Sequence, residues 1–151
     1  MNNKTPAASA TFPVASLTAE GIAKRWLTES ARTAAQKDHA AHMDLISRRV
    51  KLYGVADFDV IEYDQWSAQC ASDFAAGMIT AVGYQGLKML ASNDNKVMFK
   101  TIETLDTRDG QTIENGIEVV LEKESDGKWR LIQERILTIE EIKHDGLREM
   151  P

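Results

Sequence analysis

The last third of the chain alternates strand-like runs with short turn signals, and this pattern limits the fold more than any other feature. The turn signals, which supply positive φ at low steric cost, are Asn93-Asp94-Asn95, Asp109-Gly110 and Ser125-Asp126-Gly127. They separate strands near 79–90, 96–107, 111–123 and 128–137. Because neighbouring strands joined by tight turns pair antiparallel, the pattern predicts a four-stranded meander.

The first strand of this meander is expected to be curved. It contains Gly83 and Gly86, and glycines inside a strand mark a bend, a bulge or a close backbone approach. In the third strand, Ile113, Ile117 and Val119 alternate with glutamates, which predicts one face toward a core. Asn115 is in register with the apolar positions, so its amide should point where the core face points.

Apolar residues also fall on the second face of the sheet. They are the runs Val119-Val120-Leu121 and Leu131-Ile132, together with Met98 beside Phe99. Apolar groups on both faces indicate that part of the second face meets a neighbour. The sequence therefore predicts a homodimer that forms through the sheet.

The first half of the chain is predicted to be mainly helical. Thr18 can cap a helix over about 19–36, and Asp38 a short second helix that carries His39 and His42. After a strand at 48–53, Asp64 is expected to cap a third helix. Its apolar stripe, at four-residue steps, is Trp66, Cys70, Phe74 and Met78. These helices are expected to cover the core face of the sheet.

Composition narrows the function classes. The chain has 151 residues, which predicts one domain at 18–137 between a disordered arm at 1–17 and a tail at 138–151 with a short helix. A net charge of -5 argues against nucleic-acid binding, which needs clustered basic residues. No apolar run reaches the length of a membrane span. The single cysteine, Cys70, and the absence of a clear secretion signal favour a cytoplasmic protein.

The order helix, short helix, strand, helix and four antiparallel strands resembles the nuclear transport factor 2-like superfamily. That group includes polyketide-cyclase-like and ketosteroid-isomerase-like proteins. The resemblance covers about residues 18–137, and it is strongest at Trp66, at Tyr84-Gln85-Gly86 and at Gly127-Lys128-Trp129-Arg130. It implies an α+β, cystatin-like cone, in which three N-terminal helices pack on a strongly curved, mostly antiparallel sheet around a cavity.

The active-site residues of the superfamily do not carry over. Ketosteroid-isomerase-like members place a tyrosine and two acids in the pocket, but the first helix here has no tyrosine. We also expect no acid of strands 97–137 to lie among the apolar positions. His39, His42, Tyr53 and Asp57 match the residue types of dehydratase-like members without their pattern. The resemblance thus implies a fold but no catalytic residue, and the sequence points to no cofactor and no metal.

Seven residues are candidates for lining the cavity: His42, Tyr53, Tyr63, Trp66, Tyr84, Asn115 and Arg135. The aromatic members fall at element ends near the expected cone mouth, and a tyrosine hydroxyl there could donate to a ligand oxygen. Asn115 could meet Gln133 and Arg135 if the last hairpin has the right register. Each has a structural alternative: a solvated polar face for His42, ordinary packing for the aromatic residues and a sealed sheet rim for Asn115.

Other chemically capable residues have simpler explanations. Cys70 lies in the apolar stripe of the third helix and is expected to be an inert buried thiol. Trp26 and Trp129 are expected in the core or an interface, and Asp57 and Asp59 in a solvated turn. Two functions stay open at this point. The first is a pocket that binds or transforms a small apolar ligand bearing a polar group, and the alternative is a non-catalytic dimeric interaction module.

Overall fold

The computed structural model describes residues 18–150, so the arm expected at 1–17 lies outside the described residues, as does Pro151. The elements in chain order are α1 (Ala19–Ala35), α2 (His39–Met43), β1 (Ile46–Tyr53), β2 (Ile61–Glu62), α3 (Tyr63–Ala76), β3 (Ile79–Ser92), β4 (Lys96–Thr107), β5 (Thr112–Lys123), β6 (Trp129–Ile136), α4 (Ile139–Asp145) and a 3₁₀ turn (Leu147–Glu149). No helix between residues 18 and 150 combines the length and apolar character of a membrane span.

Side-chain caps set the starts of the first two helices, as the sequence predicted. The Thr18 hydroxyl accepts a hydrogen bond from the Gly21 amide at 3.0 Å, and the Asp38 carboxylate accepts one from the Ala41 amide at 3.1 Å.

The third helix begins and ends differently from the prediction. Its N-cap is Glu62 rather than Asp64, because Glu62 and Gln65 form a reciprocal capping box. At its other end Gly77 adopts a left-handed conformation with φ of 65°. Met78 therefore lies outside the helix and is 38% exposed, so it does not extend the buried stripe that we expected.

The sheet has the strand order β2-β1-β6-β5-β4-β3, and only the β1–β6 pair is parallel. Strands β3 to β6 form the predicted antiparallel meander. Gly86 lies at an irregularity in the pairing of β3 with β4, where its φ of 74° lets the strand bulge and bend. The predicted α+β, cystatin-like architecture is confirmed.

We call the face of the sheet that α1–α3 cover the inner face and the opposite one the outer face. The inner-face core contains Trp26, Leu27, Val50, Val97, Phe99, Ile117, Val119, Leu121 and Leu131. Helix α1 packs over β3 and β4, whereas α3 packs chiefly against β1, β2 and α2. The two helices therefore cover different parts of the sheet.

The C-terminal tail, residues 138–150, covers part of the outer face. Ile142 and Leu147 form a second apolar cluster with Ile102 and Leu137. Gly116 leaves room for this contact, since a Cβ there would lie 2.6 Å from Ile142 Cγ1. The short helix expected in the tail is thus present, and it explains some of the apolar residues on the second face without a partner chain.

Ion pairs fasten the tail to the sheet. The Asp145 carboxylate is only 5% exposed and accepts hydrogen bonds from Lys100 at 2.7 Å and Lys88 at 2.8 Å. The hydrogen bond from Lys100, followed by the one from Lys88, lowers the pKa of Asp145 to about 2. Arg135 similarly holds Glu141 at 2.8 Å. Ion pairs and apolar contacts therefore hold the tail against the outer face of the sheet.

Candidate functional site

Three neighbouring strands place a row of polar side chains on the inner face. Tyr84 of β3 lies directly opposite Glu103 of β4, which lies opposite Asn115 of β5. Directly paired residues of antiparallel strands project from the same face. Glu103 is four residues from the buried Phe99, so both side chains point toward the helices. The row therefore crosses the interior of the cone.

Tyr84 connects this row to helix α1. Its hydroxyl oxygen lies 2.9 Å from Ser30 Oγ and 3.4 Å from Glu103 Oε2. Because a phenol carries one proton, Tyr84 can donate to Glu103 while it accepts from Ser30, which is 4% exposed. Burial, followed by the charge of Glu103, raises the pKa of Tyr84 well above its ordinary value. The hydroxyl therefore stays protonated at neutral pH.

Glu134 of β6 brings a second carboxyl group into the interior. It is 7% exposed, and no residue between 18 and 150 forms a hydrogen bond or ion pair with its carboxyl group. Burial and then the charge of Glu103 raise the pKa of Glu134 well above its ordinary value. Burial also raises the pKa of Glu103, against the effect of the Tyr84 hydrogen bond. Both groups are therefore biased toward the protonated form.

A β-bulge explains why Glu134 points inward. Leu131 pairs with Leu121 and Gln133 pairs with Val120, so Ile132 is an extra residue on β6. The extra residue shifts the alternation by one and puts both Leu131 and Glu134 on the inner face. The expectation that no acid of strands 97–137 lies among apolar positions was therefore wrong. The two-residue period from Phe99 could have identified Glu103.

Helix α3 forms the wall opposite this group. Trp66 and Cys70 pack against the inner core, and Cys70 lies close enough for the charge of Glu103 to affect it. Burial is the main cause that raises the pKa of Cys70 to about 11. Cys70 is therefore a neutral thiol at physiological pH, which agrees with the inert role predicted for it.

The inner face is less covered at the end of the cone beyond Asn115. No residue of α3, which the structure describes in full, is completely buried. Ile113 shares the inner-face alternation with Asn115 and is 44% exposed, and its partner Leu105 is partly exposed. The inner face is therefore partly exposed to solvent at this end.

One cleft lies at the β1 edge of the sheet. It has a volume of about 470 Å³ between residues 48–51 and residues 62–65. Tyr63 lines it, and the Arg48 guanidinium lies 4.6 Å above the Tyr63 ring. A second cleft, of about 460 Å³, lies around Arg130. Neither is lined by the interior carboxyl groups, so Tyr63 lies apart from them.

His42 lies in the helical layer. Its Nδ1 is 2.8 Å from Thr33 Oγ1, and its ring meets Phe74 edge-on at 5.7 Å. Burial, and then the charge of His39, lowers the pKa of His42. His39 instead contacts Ser67, and its Nε2 lies 2.9 Å from the Ser67 carbonyl oxygen. Neither histidine forms a hydrogen bond with the interior carboxyl groups.

Tyr53 and Arg135 lie on the outer face rather than around the mouth. Arg135 forms ion pairs with Glu118 on β5 and with Glu141 in α4. Tyr53 lies directly beside Arg135 in the pairing of β1 with β6. Since Arg135 pairs with Glu118 on β5, the cluster that we expected around Asn115 does not form. The bulge at Ile132 is the cause.

The remaining expectations concern packing and metals. Trp26 is 7% exposed, and its indole nitrogen donates to the Leu45 carbonyl at 3.0 Å, as expected for a core residue. Trp129 is partly buried at the edge of the same core. Asp57 and Asp59 are exposed in their loop. In the described part of the chain, no three His, Cys, Asp or Glu side chains are close enough to hold a metal ion.

Comparison with known proteins shows the fold. No family model matches the chain. No curated protein matches its sequence. Among solved structures, ActVI-ORFA of Streptomyces coelicolor superposes with a TM-score of 0.63 at 11% identity, over 80% of this chain and 97% of that one.

Two further structures agree with this match. An NTF2-like protein with a cystatin-like fold from Novosphingobium aromaticivorans gives a TM-score of 0.61 at 11% identity, over 92% of each chain. A Shewanella frigidimarina protein, suggested to be a ketosteroid isomerase, gives 0.59 at 13% identity, over 80% of this chain and 95% of that one. The chain therefore has the cystatin-like fold, as the sequence predicted.

Proposed function

We propose that the chain binds a small apolar molecule inside the cone and holds a polar group of that molecule with Tyr84, Glu103 and Glu134. The observation that carries the proposal is the Glu134 carboxyl group, which is buried and has no partner among the described residues. A buried polar group without a partner destabilises the folded chain by about 1–3 kcal/mol. Such groups, with strongly shifted pKa values, are concentrated at functional sites.

The same groups are suited to proton transfer. A carboxyl group whose pKa is raised well above its ordinary value can donate a proton, and Tyr84 can donate to a ligand oxygen. A ketosteroid isomerase activity suggested for a protein of this fold supports a small apolar substrate for this site. The proposal therefore includes acid–base chemistry on the bound molecule.

A ligand screen tests this function. We expect at least one compound class, among apolar ketones, hydroxy acids, alcohols and amines, to raise the melting temperature by roughly 5–10 °C at about 100 times Kd. Tyr84→Phe should reduce this shift by more than half. The matched variant Tyr53→Phe, on the outer face, should keep it.

Two results would contradict the proposal. One is that no compound in a broad library shifts the melting temperature. The other is that Tyr53→Phe and Tyr84→Phe affect the shift equally, which would place the ligand elsewhere.

We also propose that two copies associate through the part of the outer face around Met98 and Gln133, which are partly exposed, whereas Val120 between them is 7% exposed in the single chain. Met98, Val120 and Gln133 form a row of directly paired residues across three strands, beyond the apolar cluster of the tail. Sedimentation at micromolar concentration should show a dimer, and Met98→Lys should shift it toward monomer because the charge would be buried. The control Met78→Lys, at an exposed position after α3, should stay dimeric. A monomeric wild-type chain contradicts the proposal.

A further inference from the structure

Helix α3 is less buried than helix α1, although both cover the inner face. None of the 14 residues of α3 is completely buried, whereas six of the 17 residues of α1 are. Trp66 and Cys70 are only partly buried at the margin of the inner-face core. Phe74 is also partly buried, and it meets the histidine rings of α2 edge-on. Helix α3 therefore has fewer tightly packed contacts to lose on leaving the sheet than α1 has.

Polar contacts add little to the attachment of α3. In the part of the chain that the structure describes, no ion pair joins residues 63–76 to another element. The Nε2 of His39 contacts the Ser67 carbonyl oxygen, and the Arg108 guanidinium donates to the Ala76 carbonyl oxygen at 3.0 Å in an exposed position. Water can replace an exposed hydrogen bond, so its net contribution to stability is small.

The connections at both ends of α3 allow it to leave the sheet as a unit. Before it, β2 pairs with β1 through two residues only, and the loop 54–60 contains no helix or strand. After it, Gly77 has a φ of 65° at the start of the connection to β3. Residues at the ends of elements can absorb the changes in φ and ψ that a hinge needs. Helix α3 can therefore move while β1 and β3 stay in the sheet.

A detached α3 would not remain helical. It has 14 residues, and isolated helices of this length are marginally stable in water. The helix is therefore maintained by its contacts with the fold as well as by its caps. The open state loses the helical hydrogen bonds of α3, so its backbone amides become accessible to hydrogen exchange.

The part of the inner face beneath α3 includes the surroundings of Glu134. This residue lies beside Leu52 in the pairing of β1 with β6, and β1 is one of the strands that α3 packs against. Glu134 is 7% exposed, and neither described cleft is lined by it. A molecule that reaches Glu134 from solvent therefore requires a covering element to move, and α3 is the covering helix with the fewest buried residues.

We infer that α3 is a lid, which opens by local unfolding between β2 and Gly77 while α1 and strands β3 to β6 stay folded. The open state exposes Cys70 and the inner face around Glu134 to solvent. That this opening admits a ligand to the cone rests on the proposed function.

Two glycine variants of the full chain test the inference. Gly77→Ala and Gly110→Ala both place an L side chain at positive φ, 65° and 86°. The nearest described atom to a Cβ lies 3.9 Å away at Gly77, and none lies within 4 Å at Gly110. Each substitution should therefore change only the local backbone energy, by an amount equivalent to about tenfold in an equilibrium constant. Gly77 ends α3, whereas Gly110 lies in the β4–β5 hairpin.

Hydrogen exchange followed by mass spectrometry measures the effect. In the wild-type chain, α3 should exchange roughly a hundredfold faster than the core strands around Phe99 and Val119. Gly77→Ala should accelerate exchange in α3 about tenfold. Gly110→Ala should accelerate exchange in the core strands, because global unfolding includes the hairpin, and should leave α3 unchanged, because the opening of α3 does not.

Labelling of Cys70 with N-ethylmaleimide shows whether the opening uncovers the inner face. The thiolate sulfur adds to one carbon of the maleimide double bond, and a proton from water adds to the other. The labelling rate should increase about tenfold in Gly77→Ala and stay unchanged in Gly110→Ala. Equal rates in the wild type and both variants would mean that Cys70 reacts without movement of α3, which contradicts the inference.

Two results of the exchange experiment would also overturn the lid. One is that α3 exchanges as slowly as the core strands in the wild type. The other is that Gly110→Ala accelerates α3 as much as the core strands, because α3 would then open only when the whole chain unfolds.

These measurements need no ligand, so they separate the lid from the proposed function. If α3 opens locally but no compound of the broad library binds, the proposed function is wrong and the lid stands. If a compound binds but α3 does not open locally, the lid is wrong and the ligand site stands.

Discussion

Gly86→Ala is expected to lower the free energy of unfolding by about 3–5 kcal/mol, the range of the most disruptive single substitutions. Gly86 has a φ of 74°, where an L side chain costs roughly 1–2 kcal/mol. A Cβ at this position would also lie 2.4 Å from the backbone oxygen of Leu147. Because that atom belongs to the backbone, rotation of a side chain cannot relieve the clash. The tail must move off the sheet and expose Leu147.

A matched glycine separates the two causes. Gly110 has a similar φ of 86°, and no described atom lies within 4 Å of a Cβ placed there. Gly110→Ala should therefore cost only about 1–2 kcal/mol, the contribution of the backbone alone. Urea unfolding followed by circular dichroism measures both variants. If Gly86→Ala costs no more than Gly110→Ala, the tail does not pack on β3 as the structure shows.

The same contact marks the limit of what the sequence could predict about the fold. Turn signals and caps such as Thr18 and Asp38 are local, and they predicted the meander and the first helices correctly. The sequence also showed that the outer face is partly apolar, but it did not show which residues bury that face. Periodicity shows that a face is buried without showing whether the chain's own tail or a second copy buries it. In the part of the outer face around Ile102, the burying residues are Ile142 and Leu147 of the chain's own tail.

The candidate site was partly predictable for a related reason. Tyr84 was a pocket candidate, and Glu103 follows the period of Phe99, so the alternation of β4 alone was enough to place it. Glu134 could not be found in this way, because the bulge at Ile132 reverses the alternation of β6. The same reversal moves Arg135 to the outer face. A bulge depends on pairing with the neighbouring strand, which a single sequence does not reveal.

Glu134→Gln is expected to stabilise the chain at pH 8 by about 1–3 kcal/mol, as replacement of a buried charged group by an uncharged one often does. The folded-state pKa of Glu134 is raised above its unfolded value near 4.5. Between these two values the folded chain binds more protons than the unfolded chain, so the stability contributed by Glu134 falls as the pH rises. Below pH 4.5 the carboxyl group is protonated in both states, and Glu and Gln should be nearly equivalent.

The difference in melting temperature between wild type and Glu134→Gln is therefore the quantity to follow. It should grow from near zero at pH 4 to roughly 3–8 °C at pH 8. Asp145 makes both proteins less stable in acid, since its pKa is lowered to about 2, but this effect cancels in the difference. The control Glu20→Gln, which makes the same charge change on the exposed side of α1, should show no such growth.

A difference that stays constant with pH would mean that folding does not shift the pKa of Glu134, and a less stable variant at pH 8 would mean that a favourable partner holds its carboxylate in the folded chain. The expected stabilisation by Glu134→Gln has a functional consequence when it is compared with the effect of the same substitution on ligand affinity. A side chain whose removal stabilises the chain contributes to something other than folding, as residues of active and binding sites often do. If the same substitution also weakens binding of the ligand that the screen identifies, the lost stability and the gained affinity have one cause, a carboxyl group kept in the interior for that ligand.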